Sequence, residues 1–479
     1  MKKKLAVVCV TIFLCGRGIA QEKIDYNLCG QDFRAINMRD NLPDNAVYIN
    51  RNAPPEARAK DVISRLTFDE KLMLTGGWKQ MHFPAVERLG LPPVYFSDAS
   101  QGIHIKDLCV KVGKSTAFPA TIALAATWNP ELAYAYAKSI SEECRAWGIS
   151  VLLGPGMNMY RNAEGGRNFE YLGEDPFLTS KLSVSYVKGL QDAGAIATIK
   201  HFIGNEQEFA RHIANIKIGE RALREIYLPP FEASIKDGKA LAVMTGNNVV
   251  NGYPGAANKP LTNDILRKEY GFKGAVMSDW ANSTFWPEQQ NIELTSGHSL
   301  LMDNNEVFAN YVRKEIKDHP ERKQDIEKDV DAMVFYNLYT FFKGGIYDRS
   351  YRDPALLSTF DAHKKVALQT AEEGITLLKN NNHILPIKPA SVKKIVVLGT
   401  DEALKVYTGK GSGMVQGYEH VDYLTGLKNV YGNKIVYKKD ISEREISSAD
   451  VVLYFITRPS GEGFDVDFNL PDVRDSVNK

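Results

Sequence analysis

Six short apolar runs in the first part of the chain each end in polar residues that can do chemistry. A carboxylate can attack an electrophile or exchange a proton, and lysine, arginine and histidine can hold the polar groups of a ligand. Ordinary loop composition does not explain a Lys-His pair, an arginine-rich loop and an Asp-Trp pair together. The polar groups are Ser97-Asp98, Asn158 with Arg161, Lys200-His201, Asn247-Asn248, Ser278-Asp279-Trp280 and Asp303-Asn304.

Longer segments of helical periodicity separate these runs, for example the one that opens at Asn129-Pro130-Glu131 and continues to Ala146. Alternating strands and helices predict a parallel sheet. Polar residues at the carboxyl ends of the strands are typical of a (β/α)₈ barrel, whose active site lies on that rim. We therefore expect an α/β protein with a TIM-like barrel. Asp279 could instead cap the following helix, but Trp280 beside it offers an apolar wall for a ligand.

A second α/β unit is predicted to start near residue 385. Residues 359–378 have helical spacing, and three later runs, Lys394–Leu398, Lys434–Tyr437 and Val451–Ile456, read as strands. This pattern predicts a partial α/β/α open sheet, because three strands are few for such a sheet. An unfinished sheet exposes an unpaired edge. We therefore expect the 479-residue chain to be a fragment or to be poorly stable alone.

Composition excludes several classes of protein. The chain has 59 Lys and Arg against 58 Asp and Glu, a net charge of +1, which argues against a nucleic-acid partner. The five cysteines form no C-x-x-C pair and the nine histidines are scattered, so we expect no metal site.

The first 20 residues have the layout of a secretory signal peptide. Lys2, Lys3 and Lys4 precede the apolar run Leu5–Cys15, and small residues lead to a cleavage position after Ala20. The run is too short for a membrane span. We therefore expect an exported protein, periplasmic or secreted. Cleavage would leave Cys29, Cys109 and Cys144, an odd number that implies no disulfide framework.

Four longer motifs resemble those of family-3 glycoside hydrolases of the β-glucosidase type. Lys200-His201-Phe202, followed by Asn205 and Gln207-Glu208, is similar to the K-H-F-x-x-N-x-Q-E signature of that family. The other three are similar to its G-R-N-F-E loop, its G-x-V-x-S-D-W strand and the segment that joins its two domains; they lie at 166–176, 274–280 and 371–386. A loop at Ser460-Gly461-Glu462-Gly463 also resembles one in the second domain of the family. Long motifs in the right order are far more specific than one short motif.

The resemblance implies a retaining hydrolase with two carboxyl groups at its centre. Asp279 would be the nucleophile and Glu462 the acid/base, one from each domain. Retention needs these groups about 5–5.5 Å apart. No cofactor and no metal is implied.

The resemblance also implies a set of sugar contacts on the rim. Side chains alternate along a strand, so Lys200 and His201 can both reach one ligand only if the strand kinks between them. The run Gly409–Gly413 lacks the ending of a phosphate-binding loop, and Ser412 is instead implied to touch the sugar. The implied substrate-binding residues are Asp98, Arg167, Lys200, His201, Arg211, Met244, Trp280 and Ser412.

The chain departs from the family pattern in three places. Asp98-Ala99-Ser100 stands in place of Asp-Gly-Pro, Asn247 in place of a tyrosine beside the nucleophile, and Ser299 in place of an aspartate. The expected activity is removal of terminal β-D-glucosyl residues from oligosaccharides or glycosides. A β-xylosidase or other β-glycosidase, and a carbohydrate-binding protein without activity, remain alternatives. The N-acetylglucosaminidase branch fits less well, because Ile203-Gly204-Asn205 replaces its usual pattern.

These expectations divide the chain into five segments and leave the oligomeric state open. The segments are a signal peptide at 1–20, a leader at 21–54, the barrel at 55–345, a linker with a helix at 346–388 and the α/β sandwich domain at 389–479.

Overall fold

The computed structural model describes residues 45–77, 81–98, 100–104, 113–280, 286, 289–302, 305–438 and 441–467. The predicted signal peptide, Ala99, Asp303 and two cysteines, Cys29 and Cys109, lie outside these residues. Within them, none of the helices has the length and apolar character needed to cross a membrane. Cys144 is buried as a free thiol.

Helices surround the sheet of the first part and flank the sheet of the second. The α-helices are α1 (Pro55–Arg65), α2 (Phe68–Met73), α3 (Thr121–Ala126), α4 (Pro130–Trp147), α5 (Pro176–Asp192), α6 (Glu220–Ala222), α7 (Pro229–Lys236), α8 (Gln290–Glu293), α9 (Asn305–Asp318), α10 (Lys323–Lys343), α11 (Phe360–Gly374), α12 (Asp401–Lys405), α13 (Tyr423–Tyr431) and α14 (Glu443–Ser447). Two π-helical segments, Leu223–Tyr227 and Pro260–Glu269, lie among them. Capping residues in the sequence mark where several of these helices begin. Asn129 caps α4 and Asp175 caps α5, each accepting a backbone N–H and each followed by proline.

In the described residues, twelve strands form three sheets. They are β1 (His82–Phe83), β2 (Val94–Ser97), β3 (Val151–Leu152), β4 (Ile196–Phe202), β5 (Asn215–Ile216), β6 (Ala242–Thr245), β7 (Val249–Val250), β8 (Tyr253–Pro254), β9 (Ala275–Met277), β10 (Ile395–Leu398), β11 (Ile435–Tyr437) and β12 (Val451–Tyr454).

The largest sheet has the order β1-β2-β3-β4-β6-β9, and all pairs except β1–β2 are parallel. Isolated parallel bridges extend the pairing from Met277 to Leu300 and from Leu301 to Gly76. The residues of β2, β3, β4, β6 and β9 are all buried, as in parallel sheets covered by helices. This arrangement confirms the predicted α/β class, with a curled sheet in the first part.

The structure moves several predicted boundaries. The strand predicted to stop at Ile199 continues as β4 to Phe202. It therefore includes Lys200 and His201, and both of these residues are buried. The apolar run that ends before Asp303-Asn304 makes only isolated bridges, at Leu300 and Leu301. The three-stranded sheet β5-β7-β8 was not predicted.

The second sheet has the order β11-β10-β12 and is parallel throughout. Its three strands match the predicted ones closely. They pack around a separate small core, which contains Ile395, Val397 and Leu404. The helix predicted over 359–378 is α11, and it ends at Gly374, as helices commonly do near glycine.

Candidate active site

Asp279 follows β9 at the carboxyl end of the parallel sheet. Its Oδ1 accepts the backbone N–H of Trp280 at 2.7 Å, and its side chain is buried. Ser299 binds the backbone of β9 at Val276. Its Oγ accepts the Val276 N–H at 2.9 Å and donates to the Val276 carbonyl at 3.2 Å. Burial raises the pKa of Asp279 to about 6, although Arg211 and Arg167 act against the shift. A proton at this carboxyl is therefore held more tightly than at an exposed aspartate.

Lys200 and His201 both reach the site from the end of β4. The pairing of β4 with β6 shifts register between Ile199 and Phe202, and the Lys200–His201 peptide bond is cis. Register shifts of this kind redirect side chains. Lys200 Nζ lies 3.5 Å from Asp98 Oδ1, and His201 Nε2 lies 3.9 Å from Asp279 Oδ2. The kink that the sequence left open is therefore present, and both neighbours contact carboxylates of one site.

His201 is held as a neutral imidazole. Its backbone N–H donates to Asn158 Oδ1 at 2.9 Å, and its Nδ1 lies 3.3 Å from both Asn158 Oδ1 and the Tyr171 hydroxyl. Burial, together with the positive charges of Arg167 and Lys200, holds the pKa of His201 well below its usual range. The ring can therefore hydrogen-bond a polar ligand without adding charge beside Asp279.

Glu462 comes to the same place from the second domain. Its Oε1 lies 2.8 Å from Arg211 Nη2 and 3.5 Å from Arg167 Nη1, and its Oε2 accepts the Ser412 backbone N–H at 2.8 Å. Burial by itself raises the pKa of Glu462. The two guanidinium groups and the Ser412 N–H outweigh it and hold the pKa well below its usual range. Glu462 is therefore ionised in this arrangement at neutral pH.

Two further glutamates complete a chain of alternating charges. Glu170 Oε1 lies 2.6 Å from Arg167 Nη2, and Glu208 Oε2 lies 2.7 Å from Arg211 Nη1. The order is therefore Glu170–Arg167–Glu462–Arg211–Glu208. Both glutamates are part of the motifs quoted above, but no role was predicted for either. The available signal was their spacing, because Glu170 lies three residues after Arg167 and Glu208 three residues before Arg211.

The loops of the second domain lie directly on a barrel loop. The Gly166 N–H donates to Asp465 Oδ1 at 3.1 Å, and the Val466 N–H donates to the Glu164 carbonyl at 2.7 Å. A Cβ on Gly166 would lie 1.8 Å from the Phe464 carbonyl oxygen, so this approach requires glycine. The contact explains how a glutamate far along the chain reaches residues on the barrel rim.

Two models of one family match the chain. The N-terminal domain of glycosyl hydrolase family 3 matches residues 77–333, and the C-terminal domain of the same family matches residues 375–479. The chain belongs to glycosyl hydrolase family 3.

Named relatives in this family include enzymes with different sugars in their names. A β-glucosidase from Bacteroides ovatus is 34% identical, over 82% of this chain and 54% of that protein. A β-xylosidase from Formosa agariphila is 32% identical, over 81% of this chain and 58% of that protein. The solved structure of β-glucosidase 3B from Thermotoga neapolitana in complex with glucose is 30% identical, with a TM-score of 0.76, over 85% of this chain and 63% of that one. The chain thus spans little more than half the length of the two named relatives.

Most residues that the sequence placed at the site are brought together. Asp98, Arg167, Lys200, His201, Arg211 and Ser412 join Asp279 and Glu462 through the contacts above. Trp280 follows Asp279 in the chain, and its partly buried side chain packs against the hydrophobic core. Met244 lies in β6 beside Met277 and belongs to the hydrophobic core. Its structural role is therefore packing in the barrel.

The departures from the family pattern have distinct surroundings. Asn247 is buried, and its Oδ1 has no hydrogen-bond partner among the described residues. Ser100 accepts the Gly156 N–H at 3.0 Å and so ties two strand-end loops together.

In the part of the chain that the structure describes, no cluster of three or more His, Cys, Asp or Glu side chains could hold a metal ion.

Proposed function

We propose that this protein is an exported, retaining, exo-acting β-glycosidase that hydrolyses terminal β-D-glucosyl residues. The observation that carries the proposal is the meeting of Asp279 and Glu462, from two domains, around Arg211 and Arg167. Each guanidinium faces Glu462, and each acts on the charge of Asp279. Glycoside hydrolysis uses two carboxyl groups in one site, and the proposal assigns them the retaining roles. Membership of the family and the names of its relatives agree with this chemistry.

In the proposed reaction an Asp279 carboxylate oxygen attacks the anomeric carbon and forms a glycosyl ester. The bond from that carbon to the leaving oxygen breaks, and Glu462 gives its proton to the leaving oxygen. Water then attacks the same carbon, Glu462 takes one proton from it, and the ester breaks to release the sugar and free Asp279. Both steps invert at the anomeric carbon, so the configuration is retained overall.

Exposure favours Glu462 over its neighbours as the proton donor. Its side chain is 19% exposed, whereas those of Glu170 and Glu208 are 2% and 0% exposed. A group that donates a proton must come within hydrogen-bond reach of the leaving oxygen. The two buried glutamates instead hold Arg167 and Arg211 in place.

The charges around Glu462 add one requirement to the proposal. An acid must be protonated, yet two guanidinium groups keep Glu462 ionised in the described arrangement. Arg211 has a second partner, Glu208, at 2.7 Å. The proposed cycle therefore includes a step in which Arg211 keeps Glu208 and leaves Glu462 as substrate enters, so that Glu462 gains its proton.

The other rim residues suit the hydroxyl groups of a single terminal sugar. Asp98 accepts hydrogen bonds, the buried Lys200 ammonium donates them, and the neutral His201 ring can do either. Charged donors and acceptors with fixed partners orient a pyranose well. A β-xylosidase is the second candidate, favoured by the Formosa relative. Glucose carries a hydroxymethyl group that xylose lacks.

A panel of p-nitrophenyl glycosides tests the proposal directly. We expect the chain to release nitrophenol fastest from the β-D-glucoside, more slowly from the β-D-xyloside and the α-L-arabinopyranoside, and not from the α-D-glucoside. Proton NMR of the first product should show β-glucose before mutarotation. An α first product would contradict retention, and binding of glucose without release from any glycoside would favour the non-catalytic alternative.

The pH dependence of kcat/KM for 2,4-dinitrophenyl β-D-glucoside, whose leaving group departs without a proton, should show an acidic limb near pH 6. Asp279 attacks only when ionised, and its pKa is raised to about 6, so activity is lost as the pH falls through that value. His201 does not account for this limb, because its pKa lies well below its usual range. Initial rates at low substrate concentration between pH 3.5 and 8 measure it. A limb centred below pH 4.5 would contradict the raised pKa of Asp279.

A further inference from the structure

Asp465, three residues after Glu462, binds the barrel through a single carboxylate. Its Oδ1 accepts the N–H of Gly166 at 3.1 Å and that of Glu208 at 2.8 Å, and its Oδ2 accepts the N–H of Phe209 at 2.9 Å. Three N–H donors around one carboxylate form a strong and directional contact. All three donors belong to the first domain and Asp465 belongs to the second.

The two barrel loops that Asp465 joins carry the partners of Glu462. Gly166 directly precedes Arg167. Glu208 holds Arg211 at 2.7 Å and also accepts the Gly463 N–H at 2.8 Å through the same Oε2. Asp465 therefore fixes the distance between the Glu462 loop and both guanidinium groups.

We propose that Asp465 is a positioning residue for the acid/base function of Glu462, acting through the loops at Gly166 and Glu208. The inference rests on the proposed function, because it assigns Asp465 a part in proton transfer to the leaving group. Other contacts also dock the loop: Val466 N–H donates to the Glu164 carbonyl, and Arg458 Nη1 donates to the Ala163 carbonyl at 3.3 Å. Loss of Asp465 therefore leaves the domains in contact but frees the loop to shift.

The test compares glycosides whose leaving groups differ in their need for a proton. A 2,4-dinitrophenyl leaving group departs without protonation, whereas phenol requires an acid. The variant is Asp465→Asn, which keeps the shape of the side chain but turns an NH₂ group toward at least one N–H donor. The control is Asp450→Asn, since Asp450 Oδ2 likewise accepts two backbone N–H groups, from Lys393 at 2.6 Å and Lys394 at 2.9 Å, inside the second domain.

We expect Asp465→Asn to lower kcat/KM for phenyl β-D-glucoside by about 10–100-fold, the loss that a small misplacement of a catalytic group causes. The value of kcat/KM for 2,4-dinitrophenyl β-D-glucoside should change less than about threefold. Asp450→Asn should leave the ratio of kcat/KM for the two glucosides unchanged. Asp465→Glu, which keeps the carboxylate, should recover part of the loss on phenyl glucoside.

Equal losses on both substrates would overturn the inference and leave Asp465 as a structural contact. Unchanged kinetics in folded Asp465→Asn, with folding checked by the thermal transition, would overturn it as well. Failure of the proposed function looks different, because then the unaltered chain releases neither leaving group. An active chain in which Glu462→Ala shows no leaving-group dependence would contradict the role of Glu462 and with it that of Asp465.

Discussion

Asp279→Asn is expected to lower kcat/KM for p-nitrophenyl β-D-glucoside by on the order of 10⁴-fold, the scale of loss when a nucleophile is removed. The amide has nearly the size of the carboxylate and can still accept the Trp280 N–H through its oxygen. It cannot form the glycosyl ester. The loss should therefore be equally large for activated and poor leaving groups, because both need the attack.

The same substitution is expected to stabilise the folded chain above pH 6. Burial raises the pKa of Asp279 to about 6 from an ordinary value of 3.8, so folding disfavours its charge. Above pH 6 the carboxyl is ionised in both states, and the folded state bears a cost of up to about 3 kcal/mol. Asparagine removes that cost. Below the unfolded pKa both states are protonated, and the difference disappears.

Urea unfolding of the variant and the unaltered chain at pH 4 and pH 7.5 measures this effect. Asp264→Asn is the control, because Asp264 pairs with Lys268 on the surface, with both side chains more than half exposed. It should change neither activity nor the pH dependence of stability. Activity retained in Asp279→Asn would place the nucleophile elsewhere.

Covalent trapping checks the nucleophile independently. A 2-deoxy-2-fluoro glucoside with a dinitrophenyl leaving group slows both steps but leaves the first one faster, so the ester accumulates. Mass spectrometry of the digested protein should find the added sugar on the peptide that contains Asp279. The label should be absent from Asp279→Asn.

The sequence predicted the positions of the strands better than it predicted the contacts between the two domains. Val94, Ala275 and Ile395 all lie in strands close to the predicted ones, because short apolar runs between polar residues have few other solutions in an α/β fold. The end of β4 was misplaced for a physical reason: Lys200 and His201 look like loop residues, but partners supplied by distant elements allow their burial.

Contacts between loops that are distant in the chain were the hardest feature to predict from the sequence. Asp465 receives N–H groups from residues more than 250 positions away, and no local pattern indicates this. Met244 shows the opposite case. The resemblance implied that Met244 touches the sugar, whereas its side chain is part of the core, because neighbouring strands supply apolar partners on both faces.

Glu462→Ala is expected to divide substrates by their leaving groups. For phenyl β-D-glucoside we expect kcat/KM to fall by about 10²–10⁴-fold, the usual contribution of general acid catalysis. For 2,4-dinitrophenyl β-D-glucoside kcat/KM should remain within about tenfold, because that leaving group departs without a proton. The second step then lacks its base, so kcat should fall and azide, which attacks without base assistance, should restore it.

The product of azide rescue tests the geometry. Azide attacking from the face that water uses gives β-glucosyl azide, with retained configuration. Glu419→Ala is the matched control, since Glu419 is an exposed glutamate of the second part that pairs with Lys364. It should show neither leaving-group dependence nor rescue. Equal losses on both glucosides in Glu462→Ala would contradict its role as the acid.

Removal of Glu462 also changes the charges that act on Asp279. The carboxylate of Glu462 raises the pKa of Asp279, whereas Arg211 and Arg167 lower it. In Glu462→Ala both guanidinium groups remain, held by Glu208 and Glu170. The acidic limb of the dinitrophenyl reaction should therefore move to lower pH in this variant. A limb that stays at pH 6 would contradict the effect of the Glu462 charge on Asp279.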